Sequence, residues 1–413
     1  MKNTILIFAL TLFSFASYCQ DFWEHVNTPD STYINDIVVD SSGKIYLAVS
    51  EIWIGKGGVY RSENNGESWV QFRNGLSYAH MLALAVDGED NLFIGGASIY
   101  KSVDHAETWR TVLTANFQNS IVIRCGYDSI VLVCSVYQFG IVRSGDHGET
   151  WENVLSLNMN ECINDICFGP NGAIYACSST QYSGIGNIYQ SVDLGKTWQE
   201  FPREGYYTTL GFDNQDRLIA GTYGEGIYRY DFTSSIWEHI LIGGTPNDIL
   251  VLPDDNIFLS WSYGRILQSN DGGENYFSNS SGIPEMNEMR NFAFDKQGRI
   301  LVHGAWLYRS FDTLLTVVPS IDPEKKNILK CYPNPFSDYT NFHFITNDDL
   351  FCEADLYIYN SNGLLMLHNK IMCGRTFRWD ATNMSSGVYI VRISNRNFSY
   401  TNKLIHHNYS PIN

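Results

Sequence analysis

Seven near-copies of one octapeptide recur along the 413-residue chain and restrict its fold more than any other feature. They read SENNGESW from residue 62, SVDHAETW from 102, SGDHGETW from 144, SVDLGKTW from 191, YDFTSSIW from 230, SNDGGENY from 269 and SFDTLLTV from 310. Successive starts lie 40, 42, 47, 39, 39 and 41 residues apart. A period near 40 with strand-rich content predicts a propeller, in which each repeat is one four-stranded blade.

The sequence upstream of each copy supports this reading. INDIVVDSSGKIYLAV (35 to 49 with its preceding Ile34) leads into GGVYRS, MLALAVDGEDNLFIGG (81 to 96) into SIYKS, and INDICFGPNGAIYACS (163 to 178) into NIYQS. Apolar runs separated by Gly, Asp and Asn turns are strand and hairpin signals, so each unit is strand A, turn, strand B, loop, strand C, octapeptide, strand D. The seventh copy has Val317 in place of its tryptophan, whereas FWEHV at 22 to 26 nearly repeats the IWEHI of 236 to 240. The first strand of the mature chain is therefore expected to complete the last blade, with Trp23 filling the vacant slot and the ring losing its exposed edges. The fold class is all-β: a seven-bladed β-propeller followed by a small, Ig-like β-sandwich.

In chemical terms the octapeptide reads as a fastening. A short Ser or Asp side chain bonds turn amides, Gly takes a positive φ, and Trp fills a gap in the blade packing. A calcium loop needs a longer series of oxygen ligands. The copies resemble the Asp-box, or BNR, repeat S-x-D-x-G-x-T-W of sialidase-like and xyloglucanase-like propellers. That resemblance implies a C–D hairpin on the face away from the active site.

Residues 1 to 19 have one lysine, then an apolar run from Thr4 to about Ala16, then small and polar residues. This is the layout of a secretory signal peptide with cleavage after Cys19, and the run is too short to span a bilayer. With 44 acidic against 27 basic residues and a net charge of −17, the chain lacks the basic clusters that nucleic acid or anionic lipid requires. Cysteines at 125, 134, 162, 167, 177, 331, 352 and 373 show no CxxC pair and no zinc-like spacing. Buried free thiols are the expected state, and no metal or cofactor is expected.

Residues 20 to 318 form the expected propeller. PSIDPEKKNILK then interrupts the pattern, and residues 319 to 330 read as a linker. From 331 to 413, alternating strands with Asn-Gly and Ser-Gly turns suffice for a small β-sandwich. Tyr332-Pro333-Asn334-Pro335-Phe336, Ile358-Tyr359-Asn360 to Gly363, Ser386-Gly387-Val388-Tyr389 and Lys403-Leu404 closely resemble the C-terminal sorting domain of the type IX secretion system of Bacteroidetes. The resemblance implies a secreted or outer-membrane surface-attached protein whose partners include the secretion machinery and its sorting peptidase. The chain continues as HHNYSPIN past Lys403-Leu404, where family members usually stop.

In this strand order the D–A and B–C loops share one face, opposite the octapeptides. Of ten tryptophans, Trp23, Trp69, Trp109, Trp151, Trp198 and Trp237 fill the repeat slot and Trp379 lies in the C-terminal segment. Trp53, Trp261 and Trp306 are assigned to B–C loops, with Tyr137, Phe139, Tyr182, Tyr223 and Tyr263. Flat rings beside a polar channel suit sugar faces and also protein partners, and they are the candidate ligand-binding residues. The competing reading is that they pack against neighbouring loops.

Asp36, Asp165 and Asp248, each in an Asn-Asp pair at a strand A, are candidate catalytic carboxylates, with Glu51, Glu225 and Glu288 in nearby loops. Repetition at equivalent positions favours strand-start capping instead. FPRE at 201 only shares letters with the sialidase F-R-I-P element, and no arginine triad can be assigned. The xyloglucanase-like enzymes place an aspartate before a Gly-Gly in the first B–C loop; here SEIWIGKGG offers only a displaced Glu51. The expected function is a non-catalytic propeller that binds an extracellular glycan or protein. A glycoside hydrolase is the alternative, and a structural surface-layer component is a third.

Overall fold

The computed structural model describes residues 21–311 apart from the connections 30–32, 51–56, 78–79, 115–120, 127–128, 136–139, 159–160, 170–171, 181–183, 253–254, 262 and 286–287. Beyond these it describes residues 328–332, 339–345, 353–360, 364–372, 376–382, 384–385, 387–395 and 398–406. The expected signal peptide, Glu51, Trp53, Tyr137, Phe139 and Tyr182 lie outside the described residues.

Among the described residues, the named elements are all strands. Seven antiparallel four-stranded sheets follow one another, with innermost strands Tyr33–Val39, Ala83–Val86, Ile121–Cys125, Glu161–Phe168, Tyr207–Phe212, Pro246–Val251 and Phe292–Phe294. In the first six, chain order equals spatial order, as repeated hairpins require. The seventh closes the ring: Trp23–Val26 pairs antiparallel with Leu307–Ser310, aligning Trp23 with Ser310. Trp23 is 1% exposed and donates its indole N–H to the Asn279 carbonyl at 2.8 Å.

The core is partitioned between neighbouring blades. Tyr46, Ala48 and Val59 of the first blade pack with Leu84, Leu92 and Ile94 of the second, and comparable apolar layers fill the other interfaces. No single centre exists, because each sheet buries both faces against its neighbours.

The first six octapeptides form the C–D hairpins, and their geometry accounts for the repeated letters of the motif. Ser144 Oγ donates to Asp146 Oδ1 and accepts the Gly148 N–H, both at 2.8 Å. Asp146 accepts the Thr150 N–H at 2.8 Å and its hydroxyl at 2.6 Å. The Thr150 bonds hold the Asp146 carboxyl down at about 2. The same exchange recurs at Ser191, Asp193 and Thr197, and with Asn275 in place of threonine at Asp271. Gly148 has a φ of +81°, and a Cβ there would lie 2.5 Å from the Phe93 ring of the preceding blade. Glycine is required on both counts.

The C-terminal strands form two further sheets, Ile328–Tyr332, Tyr339–Ile345 and Thr376–Asp380 in one, and Leu365–Met372, Glu353–Asn360, Gly387–Asn395 and Phe398–His406 in the other. The first of these strands begins inside the stretch expected as linker, because Ile328 already pairs with Ile345. A core of Phe342, Leu356, Ile358, Trp379, Val391 and Ile393 lies within this unit. Among the described residues, Cys125, Cys134, Cys162, Cys167 and Cys177 are free thiols.

Candidate functional site

The three candidate aspartates sit within their strands rather than at strand starts, each beside a β-bulge in its innermost strand. A bulge re-aims a side chain, and here each aspartate reaches the innermost strand of the next blade. Asp36 accepts the N–H of Ile37 and, across the blade boundary, that of Leu84, both at 2.9 Å. Asp248 does the same with Ile249 at 2.9 Å and Phe292 at 2.8 Å. Asp165 takes Ile166 at 2.9 Å, Leu210 at 3.1 Å and the Thr209 hydroxyl at 3.0 Å.

The preceding asparagines complete a two-point staple. Asn35, Asn164 and Asn247 donate to the carbonyls of Met81, Tyr207 and Met289 on the next blade, at 2.6, 2.5 and 2.7 Å. The innermost strand of a blade has a free edge, and its amides must find partners. The Asn-Asp pair supplies them. This replaces strand-start capping with stapling between blades one and two, four and five, and six and seven.

The three carboxylates also share a cation that sequence reasoning missed. Arg124, in the innermost strand of the third blade, bonds Asp165 at 2.7 Å. Burial opposes its charge, yet Asp165, Asp36 and Asp248 together hold its proton more tightly than water would. Burial, reinforced by Asp165, pushes the Asp248 carboxyl up to about 7. Burial also raises Asp36, against the pull of Arg124. A lone arginine in the apolar run IVIRC was the available signal for this group.

The opposite chemistry lies on the D–A and B–C face. Tyr223, in the B–C turn of the fifth blade, is 59% exposed and stacks on Tyr206 of the preceding D–A connection, with ring centres 4.8 Å apart and planes 21° off parallel. Tyr223 N–H donates to the Tyr206 carbonyl at 2.8 Å, fixing the pair. Gly184 lies beneath Tyr206, and Ile185, Ile242, Tyr263 and Trp306 are exposed on the same face. Beside them the Arg203 guanidinium lies 3.6 Å from the Tyr228 ring centre, and His239 stacks on the same tyrosine at 4.2 Å.

Trp261 departs from its assignment. It is the last residue of strand Ile257–Trp261 rather than part of a loop, it is 9% exposed, and its ring covers Gly244, where a Cβ would meet it at 2.1 Å. It packs, as the competing reading had it. Tyr206 was missed because it lies in a D–A connection rather than a B–C loop. Among the described residues, no group of three or more His, Cys, Asp or Glu could hold a metal ion. Glu225 and Glu288 pair with Arg203 and Arg290 at 3.8 and 3.4 Å.

Comparison with known proteins separates the two parts of the chain. Residues 330–407 match the family described as a secretion system C-terminal sorting domain. No curated protein matches the chain in sequence. Among solved structures, YCF48 bound to D1 peptide superposes with a TM-score of 0.58 at 16% identity, over 73% of this chain and 98% of that one. The GH74 xyloglucanase from Xanthomonas campestris gives 0.55 at 14%, over 91% and 66%. PorZ, a surface component of the type IX secretion system of Porphyromonas gingivalis, gives 0.51 at 12%, over 92% and 60%. At these identities the likeness is one of fold, and it spans binding proteins and enzymes alike. No helix among the described residues is long and apolar enough to cross a membrane. The chain is thus an all-β propeller protein carrying a type IX sorting domain, and its destination is the cell surface or the extracellular medium.

Proposed function

We propose that this protein is a non-catalytic binding propeller that takes an extracellular glycan or protein ligand on its D–A and B–C face. The observation that carries the reading is the Tyr206–Tyr223 stack, exposed yet held by a backbone bond, with Trp306 and Tyr263 exposed on the same face. Rigid aromatic faces give contact area at little entropic cost. The proposal extends to Trp53, Tyr137 and Tyr182, which the sequence assigns to B–C loops. Against catalysis by Asp36 and Asp165 stands their commitment to backbone amides, which leaves few lone pairs for a substrate.

The octapeptide geometry supports assigning it to the Asp-box class. The proposed organisation is a signal peptide at 1 to 19, propeller at 20 to 318, linker at 319 to 330 and sorting domain at 331 to 413, the last engaging the secretion machinery and its peptidase. The linker narrows at its C-terminal end, where strand pairing starts at Ile328.

One observation favours the glycoside hydrolase reading. A carboxyl that titrates at about 7, as Asp248 does, carries a proton near neutral pH, as a general acid must. A glycan and protein array on the secreted chain, with product analysis by mass spectrometry, separates the readings. Binding lost in a folded Tyr206→Ala/Tyr223→Ala variant, without product release, supports the binder. Product release abolished by Asp248→Asn supports the enzyme, and binding untouched by the tyrosine pair overturns the proposed face.

A further inference from the structure

The sorting domain does not hang free of the propeller: polar contacts join it to blades five and six, and its backbone also comes close to blades one and two. Tyr359 donates its hydroxyl to Asn214 Oδ1 of the fifth blade at 2.8 Å. Arg392 reaches Asp255 of the sixth blade at 3.0 and 3.3 Å. His368 sits between Asp216 of the fifth blade, at 3.1 Å, and its own domain's Asp355, at 3.0 Å. On the other side of the ring, a Cβ added to Gly387 would lie 3.3 Å from Ser41 Cβ of the first blade, and one added to Gly88 of the second would lie 3.2 Å from Ser385 Oγ.

The sheet chemistry agrees with a covered face. Along Glu353–Asn360, Leu356 and Ile358 point into the domain's own core, so Tyr357 and Tyr359 point out of it by the two-residue period of a strand. These outward tyrosines are nonetheless only 6% and 8% exposed, and Ile390 beside them 3%. Arg392, its side chain 4% exposed, would be costly to bury without the Asp255 carboxylate. Between the domain and the A–B turns of the propeller lies a cavity of about 1040 Å³, whose walls include Arg124 and Asp213 on one side and Tyr357 and Tyr359 on the other.

We infer that the sorting domain is a seated stopper over the A–B mouth of the propeller channel, latched by Tyr359, Arg392 and His368 onto the turns of blades five and six. While it is attached, ligands reach the propeller only through the opposite, tyrosine-bearing face. When it is detached, the cavity opens as a funnel whose lining holds Asp87, Glu89, Asp90, Asp213 and Asp216 together with Arg124 and His147. The Asp216 carboxylate, helped by Asp355, raises the His368 pKa, while Tyr357 stacks on its ring at 4.4 Å and Arg392 lies over the other side of that strand's tyrosine at 5.8 Å. A histidine raised by its partners stabilises the seat below its ordinary value of about 6.5 and loses that contribution as pH climbs through the raised one.

A cysteine pair tests the seat in the full chain. The Cβ separation at Ser41 and Gly387 is close to the roughly 3.5–4.5 Å of a disulfide, so Ser41→Cys/Gly387→Cys should crosslink on mild oxidation, read as a linked peptide by mass spectrometry. Ser41→Cys/Lys370→Cys should not. Equal crosslinking in the two pairs would overturn the inference. Small-angle scattering of the unaltered chain gives a check that needs no substitution. A single compact particle at pH 6 that lengthens in Arg392→Ala/Tyr359→Phe supports the stopper, whereas an extended two-body particle under all conditions overturns it.

Discussion

The Asp36 carboxylate accepts the Leu84 backbone N–H at 2.9 Å across the boundary between the first two blades, which makes an apparent catalytic residue part of the ring's framework. Replacing it with alanine leaves the Ile37 and Leu84 backbone amides and the Asn291 side-chain amide without their acceptor and should cost about 1–3 kcal/mol. Asp165→Ala also removes the carboxylate paired with the Arg124 guanidinium and should cost more than Asp36→Ala. Urea midpoints check both; losses under half a kilocalorie would remove the staple from the account.

Asp248 adds a pH dependence. Its carboxyl titrates at about 7 in the folded protein against about 3.9 when unfolded, so the folded state holds the extra proton between these values. Stability therefore falls as pH rises through that window and levels off above it. Melting temperatures from pH 5 to 8 should decline less steeply in Asp248→Asn than in the unaltered chain. Parallel curves would count against the burial argument.

The octapeptide carboxylates behave in the opposite way. Asp146, held at about 2 by Thr150, contributes stability above about 4 that disappears only as pH falls toward its lowered value. Asp146→Ala should cost about 1 kcal/mol and leave ligand binding unchanged. A chelator should not alter the melting temperature; a clear drop on chelation would restore a metal role to these turns.

Ring closure rests on the first strand. Trp23→Ala should cost about 3–5 kcal/mol, as for other buried large-to-small changes, and removing residues 21–26 should leave Leu307–Ser310 as an open edge that associates. Calorimetry and size-exclusion chromatography measure the two effects. A monomeric, equally stable truncation would mean that the ring closes without this strand.

The 40-residue period, the strand order within each blade, the closing role of Trp23 and the motifs at Tyr359 and Gly387 were legible in the sequence. They were legible because they are local: the Ser144, Asp146, Gly148 and Thr150 bonds all span four residues or fewer, so a short word encodes them completely. The tertiary structure decided the rest. Asp36 meets Leu84 48 positions away, Asp165 meets Arg124 41 positions away, Trp261 is buried by Gly244, and Tyr359 reaches Asn214 145 positions away. A carboxylate or an aromatic ring carries the same letter whether it faces substrate, a free strand edge or a docked domain. Only the placement of neighbouring blades fixes which partner satisfies it, because burial and hydrogen bonding depend on surroundings that no local word records.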